Sequence, residues 1–379
     1  MKKRFLWLLI PAIVVVGIAL LWFGLPKPPI LVGFLGTMSG RLSDLGISNR
    51  RGVELAIAEI NSQGGIHGRQ IQLVSRDDAN DTQQVREQFE ELVSQNVVAI
   101  LGPVTSTMAN EVIPLANQRK VLVIGTTVSS NEFSGRDDFF LRVSSPNRKI
   151  VEELAGLLVK RGVQKVGVIA DHSNPTFSVD WLSQFSEYFS DLGGTIACSS
   201  FFFSGDIPSL ENAVDEVMSQ RPSTVLVLAG AIDAAQVCQE IRSESDAVLL
   251  VGTGWAFKPE FLEYGGKTVE GFLINGNLDP GYSSERYLRV SNVFLQRYGK
   301  AFDFGSKAGY DAAYILFWGM EKAREFSAAS LKKEILEQKV FEGVQQVITL
   351  DSFGDPDFPP MFFQVQGGKF VRVESREQQ

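Results

Sequence analysis

An apolar run from Phe5 to Leu25 opens the chain, behind Lys2, Lys3 and Arg4, with Trp7 and Trp22 near its two ends. Its length approaches the ~20 residues that span a hydrocarbon core and exceeds the ~7–15 of a signal-peptide core. After Pro26, Lys27, Pro28 and Pro29 the pattern changes to short β-branched runs alternating with amphipathic stretches. Residues 30–35, 71–75, 97–101 and 121–124 read as strands. Between them, Val53, Ala56, Ile57 and Ile60 share one helical face, and Val85, Phe89, Leu92 and Val93 share another. This is the rhythm of a parallel sheet covered by helices. It breaks at Ser144-Ser145-Pro146 and restarts with a strand at 166–170, a helix carrying Leu182, Phe185, Phe189 and Leu192, and strands at 224–229 and 248–251. A further helix is predicted at 309–324. Antiparallel strands are predicted at 344–350 and 361–365, around an Asp/Gly/Pro turn. The pattern therefore predicts two α/β units and leaves open which late segments return to the first.

Length agrees with that division, since 379 residues exceed one ordinary core. Positive charge ahead of the apolar run keeps the N-terminus cytoplasmic and sends residues 30–379 across the membrane. No small-x-small cleavage site precedes the prolines, so residues 1–29 are read as an uncleaved anchor and stiff spacer ahead of a long cleaved signal. The formal net charge of −8 and the absence of a basic patch in the body disfavour a nucleic-acid partner. Cys198 and Cys238 match no metal spacing and are read as free thiols ahead of a disulfide. With His67 and His172 the only histidines, no metal site, cofactor or His-based catalysis is expected.

The chain carries no phosphate-binding loop, dinucleotide fingerprint, nucleophile elbow or zinc-protease motif. The acids of Asp351-Ser352-Phe353-Gly354-Asp355-Pro356-Asp357 alternate as in a calcium loop but lack its downstream glutamate, and read as a solvated hairpin turn. Asp77-Asp78 reads as a strand-end feature. Two other strand ends are hydroxyl-rich: Gly102-Pro103-Val104-Thr105-Ser106-Thr107, which leads into a helix at 108–116, and Gly125-Thr126-Thr127-Val128-Ser129-Ser130. One such turn would be read as a helix cap through Thr105 or Ser106. Two at successive strand ends point to a ligand site, because open α/β sheets bind beyond the carboxyl ends of their strands and helix N-termini suit a carboxylate.

At these residues the sequence resembles the type I periplasmic binding proteins of branched-chain amino acid (Leu/Ile/Val) transport. The likeness extends from Ile30 onward. It rests also on Gly36-Thr37-Met38-Ser39-Gly40, on Asn61 to Gly68, on Asp77-Asp78, and on Gly309-Tyr310-Asp311-Ala312-Ala313. It implies two Rossmann-like lobes joined by a three-crossing hinge near residues 144, 274 and 345: 30–144 with 275–341, and 145–274 with 342–379. It also implies ligand contacts. Ser106 matches a carboxylate-binding serine, and Thr127 and Ser129 match backbone and hydroxyl contacts at the next strand end. Leu45 falls where an aromatic residue is frequent, Phe177 matches a tyrosine that closes over the ligand, and Trp255 lies on the following strand-end loop. Asp311 is read as a helix cap.

Two departures bear on the ligand. The loop that often supplies an acid for the ligand ammonium reads Gly252-Thr253-Gly254-Trp255, so either Asp233 or Asp279 swings in or the ligand is not a zwitterion. Ala231 stands where an aromatic contact is frequent, which implies a roomier cleft. The function implied is not enzymatic: an extracytoplasmic receptor that binds an amino acid or small carboxylate and docks on an ABC permease in the membrane. The alternative is a ligand-sensing module signalling to a membrane partner.

Overall fold

The computed structural model describes residues 27–373. The membrane segment expected at residues 5–25 lies outside them, and among the described residues no helix is long and apolar enough to cross a membrane. The first unit runs β1 (Ile30–Gly36), α1 (Ser43–Ser62), β2 (Ile71–Asp77), α2 (Thr82–Ser94), β3 (Ala99–Leu101), α3 (Ser106–Arg119), β4 (Leu122–Gly125) and β5 (Phe140–Arg142). A second run follows: α4 (Arg148–Lys160), β6 (Lys165–Asp171), α5 (Pro175–Asp191), β7 (Thr195–Phe202), α6 (Ile207–Ser219), β8 (Thr224–Leu228), α7 (Ala231–Glu244), β9 (Leu249–Gly252), α8 (Pro259–Gly265) and β10 (Leu273–Gly276). Then come α9 (Glu285–Tyr298), α10 (Phe304–Lys322), α11 (Ala328–Gln338), and strands β11 (Val340–Glu342), β12 (Val347–Thr349), β13 (Met361–Gln366) and β14 (Lys369–Arg372).

Local signals account for many of these elements. Asp81 caps α2 by accepting the N–H groups of Gln83 and Gln84, and the helix buries Val85, Phe89 and Leu92. Pro175 opens α5, where its missing N–H costs nothing. β3, β4 and β8 are buried on both faces, as parallel strands between helical layers must be.

The two sheets repeat one topology. The first has the order β2-β1-β3-β4-β5 and the second contains β7-β6-β8-β9-β10, with β13 and β14 added antiparallel beyond β10. Each order reverses once, between β1 and β3 and between β6 and β8. Those are the crevices where such sheets bind ligands. The chain passes to the second sheet after Arg142, leaves it after Gly276, and returns at Met361. The late strands are antiparallel as expected but with other partners, since β13 pairs with β14 and β11 with β12.

Two readings of loop and helix residues change. Asp311 lies inside α10, buried, paired with Lys307 at 3.0 Å and accepting the Val344 N–H at 2.9 Å. The cap is Asp303, which forms a capping box with Ser306. The neighbouring Gly309 is required by packing, because a Cβ there would lie 2.1 Å from the Asn49 carbonyl oxygen of α1. The acidic segment after β12 is the expected hairpin turn, closed by an antiparallel bridge between Leu350 and Pro356 and exposed at Asp351 to Phe353, but one of its acids is not solvated. Asp355 is 2.6 Å from the fully buried Arg142, which also donates to the Ser130 carbonyl and Ser134 hydroxyl, both at 2.7 Å. Among the described residues no group of His, Cys, Asp and Glu could hold a metal ion. Cys198 and Cys238 are free thiols.

Asp77 and Asp78 tie the end of β2 to the loop after β1. Asp77 accepts the Met38 N–H at 2.7 Å, and Asp78 accepts the Thr37 hydroxyl at 2.6 Å and the Asn80 N–H at 2.9 Å. Burial pushes the Asp78 carboxyl up from 3.8 to about 6, against the lowering effect of those hydrogen bonds. The folded state therefore holds this proton more tightly than the unfolded chain, and the group's contribution to stability is lost as pH rises through that window. The stability of Asp78→Asn relative to the unsubstituted protein should rise by about 2 kcal/mol between about pH 4 and pH 7. Urea denaturation at both pH values measures it, and an unchanged difference would refute the assignment.

Candidate ligand-binding site

The carboxyl ends of the two sheets face one another across a narrow cleft with an enclosed volume of about 50 Å³. Leu45, Ser106, Thr127, Ser129, Phe177 and Trp255 all line it. The structure thus brings together the six residues that the resemblance singled out from separate elements.

The first wall is built by the turn between β3 and α3. Gly102 has φ +105°, and a Cβ there would lie 1.9 Å from the Leu35 carbonyl oxygen, so only glycine passes this close to β1. The turn delivers Thr105 as N-cap of α3, yet its side chain makes no capping bond. Thr107, in the first turn of α3, instead donates both its N–H (3.0 Å) and its hydroxyl (2.9 Å) to Asn174 Oδ1 of the second unit. Ser106 is 2% exposed, and its Oγ accepts the N–H groups of Ser129 (3.4 Å) and Ser130 (3.3 Å). Two donors occupy its lone pairs, so the hydroxyl proton is left to point elsewhere. Thr127 differs, because its hydroxyl donates to the Val104 carbonyl at 2.5 Å and serves the fold. The Ser130 carbonyl is held by Arg142, which ties this loop to the crossing segment that carries Asp355.

The opposite wall is aromatic. Phe177 and Trp255 meet edge to face, with ring centroids 5.4 Å apart and planes at 78°. Ala231 is the first residue of α7 and is not among the residues lining the cleft; Gly230 before it backs Trp255.

Neither acid suggested for a ligand ammonium is at hand. Asp233 is held by Arg41 at 3.0 Å and by the Ser204 hydroxyl at 2.5 Å. Asp279 is held by Arg372 at 3.0 Å and the Gly281 N–H at 2.9 Å. The possibility that one of them swings in is therefore not met in this structure.

Several contacts bridge the two units around the cleft. Asn80 Nδ2 donates to the Ser173 carbonyl at 2.9 Å, and the Asn131 N–H to Asp180 at 3.0 Å. Lys258, 2% exposed, lies 2.7 Å from Asp44 and 3.4 Å from Asp303. Burial alone would lower its pKa, but Asp303, Asp44 and Glu260 together hold its ammonium above the ordinary lysine value. The cleft is closed in this structure.

Among the lining residues that escaped sequence reasoning are the polar side chains Asn147, Asn174, Thr253 and Asn275. Asn174 and Thr253 follow β6 and β9, and Asn275 lies at the carboxyl end of β10. The strand-end rule that flagged Ser106 would have flagged them too.

Known proteins agree with this geometry. A family model described as periplasmic binding protein matches residues 29–369. The Leu/Ile/Val-binding protein homolog 7 of Brucella abortus is 24% identical over 335 residues, covering 81% of this chain and 80% of that protein. Among solved structures, a leucine binding protein from Thermotoga maritima superposes with a TM-score of 0.83 at 23% identity, over 91% of this chain and 98% of that one. An ABC-transporter solute binding protein from R. palustris, solved with benzoate, gives a TM-score of 0.80 at 20% identity, over 91% and 95%. With the family model spanning nearly all of the described residues and the same two-sheet architecture in these structures, the chain belongs to the periplasmic binding protein family.

Proposed function

We propose that the protein is the extracytoplasmic receptor of an ABC importer, holding an amino acid or related small carboxylate between its two units and releasing it unchanged. The observation that carries this reading is the cleft itself: the Ser106 hydroxyl at the start of α3 with its proton left to donate, aromatic rings opposite, and side chains that bridge its rim. An anionic carboxylate suits the unpaired N–H groups and dipole of a helix N-terminus. The division into 30–144 with 275–341 and 145–274 with 342–379 makes the three crossings the hinge, and closure around ligand is the expected motion. The closed units would present a joint surface to a membrane permease. The apolar segment at 5–25 would keep the receptor beside it. Transport proteins among the matched structures support import over the sensing alternative.

Thermal denaturation of the full chain in detergent, screened against amino acids, amides and short aliphatic and aromatic carboxylates, tests the reading. A ligand that binds only the folded state raises the melting temperature, by an amount that grows with concentration. At least one carboxylate is expected to do so. No shift from any of them at millimolar concentration would sink the proposal.

A further inference from the structure

Resting on the small-carboxylate reading above, we infer that the ligand is a monocarboxylate without an ammonium group, with a flat apolar body and a hydrogen-bond acceptor at its far end. Among the described residues, none that lines the cleft is Asp, Glu, Lys, Arg or His. The acids just outside are committed: Asp44 and Asp303 to Lys258, and Asp303 also to the Ser48 hydroxyl and the Ser306 N–H. An enclosed ammonium would have no counter-charge, and a second carboxylate would find no cation.

Several of the polar groups that remain offer donors to the cleft, beside the Asn277 amide and the hydroxyls of Ser129, Ser144 and Ser145, which can also accept. Asn174 Oδ1 accepts twice from Thr107, which leaves Nδ2 to offer, and Asn275 accepts the Gly254 N–H at 2.9 Å on Oδ1 and also has Nδ2 to donate. Asn147 Nδ2 and Thr253 Oγ1 are buried in residues 3% and 1% exposed, and neither has a hydrogen-bond partner. Such groups are costly unless a ligand satisfies them. Asn147 sits beside Ser129, to whose carbonyl its N–H donates at 2.9 Å, and so joins the carboxylate end. Thr253 and Asn275 lie with Trp255 at the far end, where they read an acceptor such as a phenol or carbonyl oxygen. A ring lying against Trp255 and Phe177 connects the two ends.

Calorimetry on the full chain with matched pairs tests this inference: 3-phenylpropanoate against phenylalanine, and 4-methylpentanoate against leucine. Each ammonium-free acid is expected to bind at least about 100-fold tighter than its amino acid. Amino acids that bind as tightly or more tightly would overturn the inference and leave the receptor reading intact. Binding of no member of either pair, with no other carboxylate active in the thermal screen, would remove the receptor reading itself. For the far end, 3-(4-hydroxyphenyl)propanoate should bind more tightly than 3-phenylpropanoate, and Thr253→Val should abolish that preference by weakening the hydroxylated acid about 10-fold. An unchanged preference in Thr253→Val would overturn the far-end assignment.

Discussion

Replacing Arg142 with alanine is expected to cost the fold about 3–5 kcal/mol, among the largest effects of any single substitution outside the apolar core. The guanidinium is fully buried and makes three directed contacts, with Asp355, the Ser130 carbonyl and the Ser134 hydroxyl. Removing it leaves the largely buried Asp355 carboxylate without its cation and the Ser130 carbonyl without its donor. The loss should be unequal in origin, because an uncompensated charge costs more than the pair itself contributes. The double variant Arg142→Met, Asp355→Leu should therefore recover much of it. Urea denaturation of the three proteins decides the matter. A loss under about 1 kcal/mol for Arg142→Ala would show that this pair does not tie the crossing segment to the site loop.

The second large effect is on binding. Ser106→Ala combined with Ser129→Ala should weaken a carboxylate ligand by about 1.5–3 kcal/mol for each charge-assisted hydrogen bond lost. Ser106 carries the larger share. Its Oγ also accepts the Ser129 and Ser130 N–H groups, so alanine there removes a ligand donor and frees the loop that presents the rest of the site. Calorimetry with the carboxylate that stabilises the protein most provides the measurement, and circular dichroism verifies that the variant is folded. Equal affinity in variant and parent would take both serines out of the site.

Much of the fold was legible because a parallel strand between helical layers must be apolar on both faces. Residues 97–101, 121–124 and 224–229 announce themselves in that way, and a strand overlaps each of these ranges. The missed strands lack that signature. β7, with sequence TIACSSFF, is the edge of its sheet, half-buried at Ile196 to Cys198 and alternating between exposed and buried only from Ser199 on, so part of it reads as loop. β5 is three residues long, too short for periodicity to register. Asp311 was misplaced because a lone acid in a helical pattern looks like a cap. The pair Asp303 and Ser306, at capping-box spacing, carried the better signal.

The site divides along similar lines. Ser106, Thr127 and Ser129 stand out as hydroxyl clusters at strand ends, and all three line the cleft. The resemblance alone could not separate their jobs: the Ser106 proton is free, whereas that of Thr127 is spent on Val104. Asn174, Thr253 and Asn275 also lie at strand ends, but nothing in their spacing shows that they and Asn147 share one site until the two sheets close on each other. The missing counter-charge was visible at Gly252-Thr253-Gly254-Trp255. Only the structure reveals that Asp233 and Asp279 are engaged elsewhere.

The central claim is that a carboxylate sits at the start of α3 between the two closed units. A crystal structure of the protein with the acid that binds most tightly tests it most directly. The account predicts the carboxylate within hydrogen-bond distance of Ser106 Oγ and of the residue 127–129 loop, with the ligand body against Trp255 and Phe177. A ligand held outside this cleft, or one turned so that its carboxylate meets Thr253 and Asn275 instead, would contradict it.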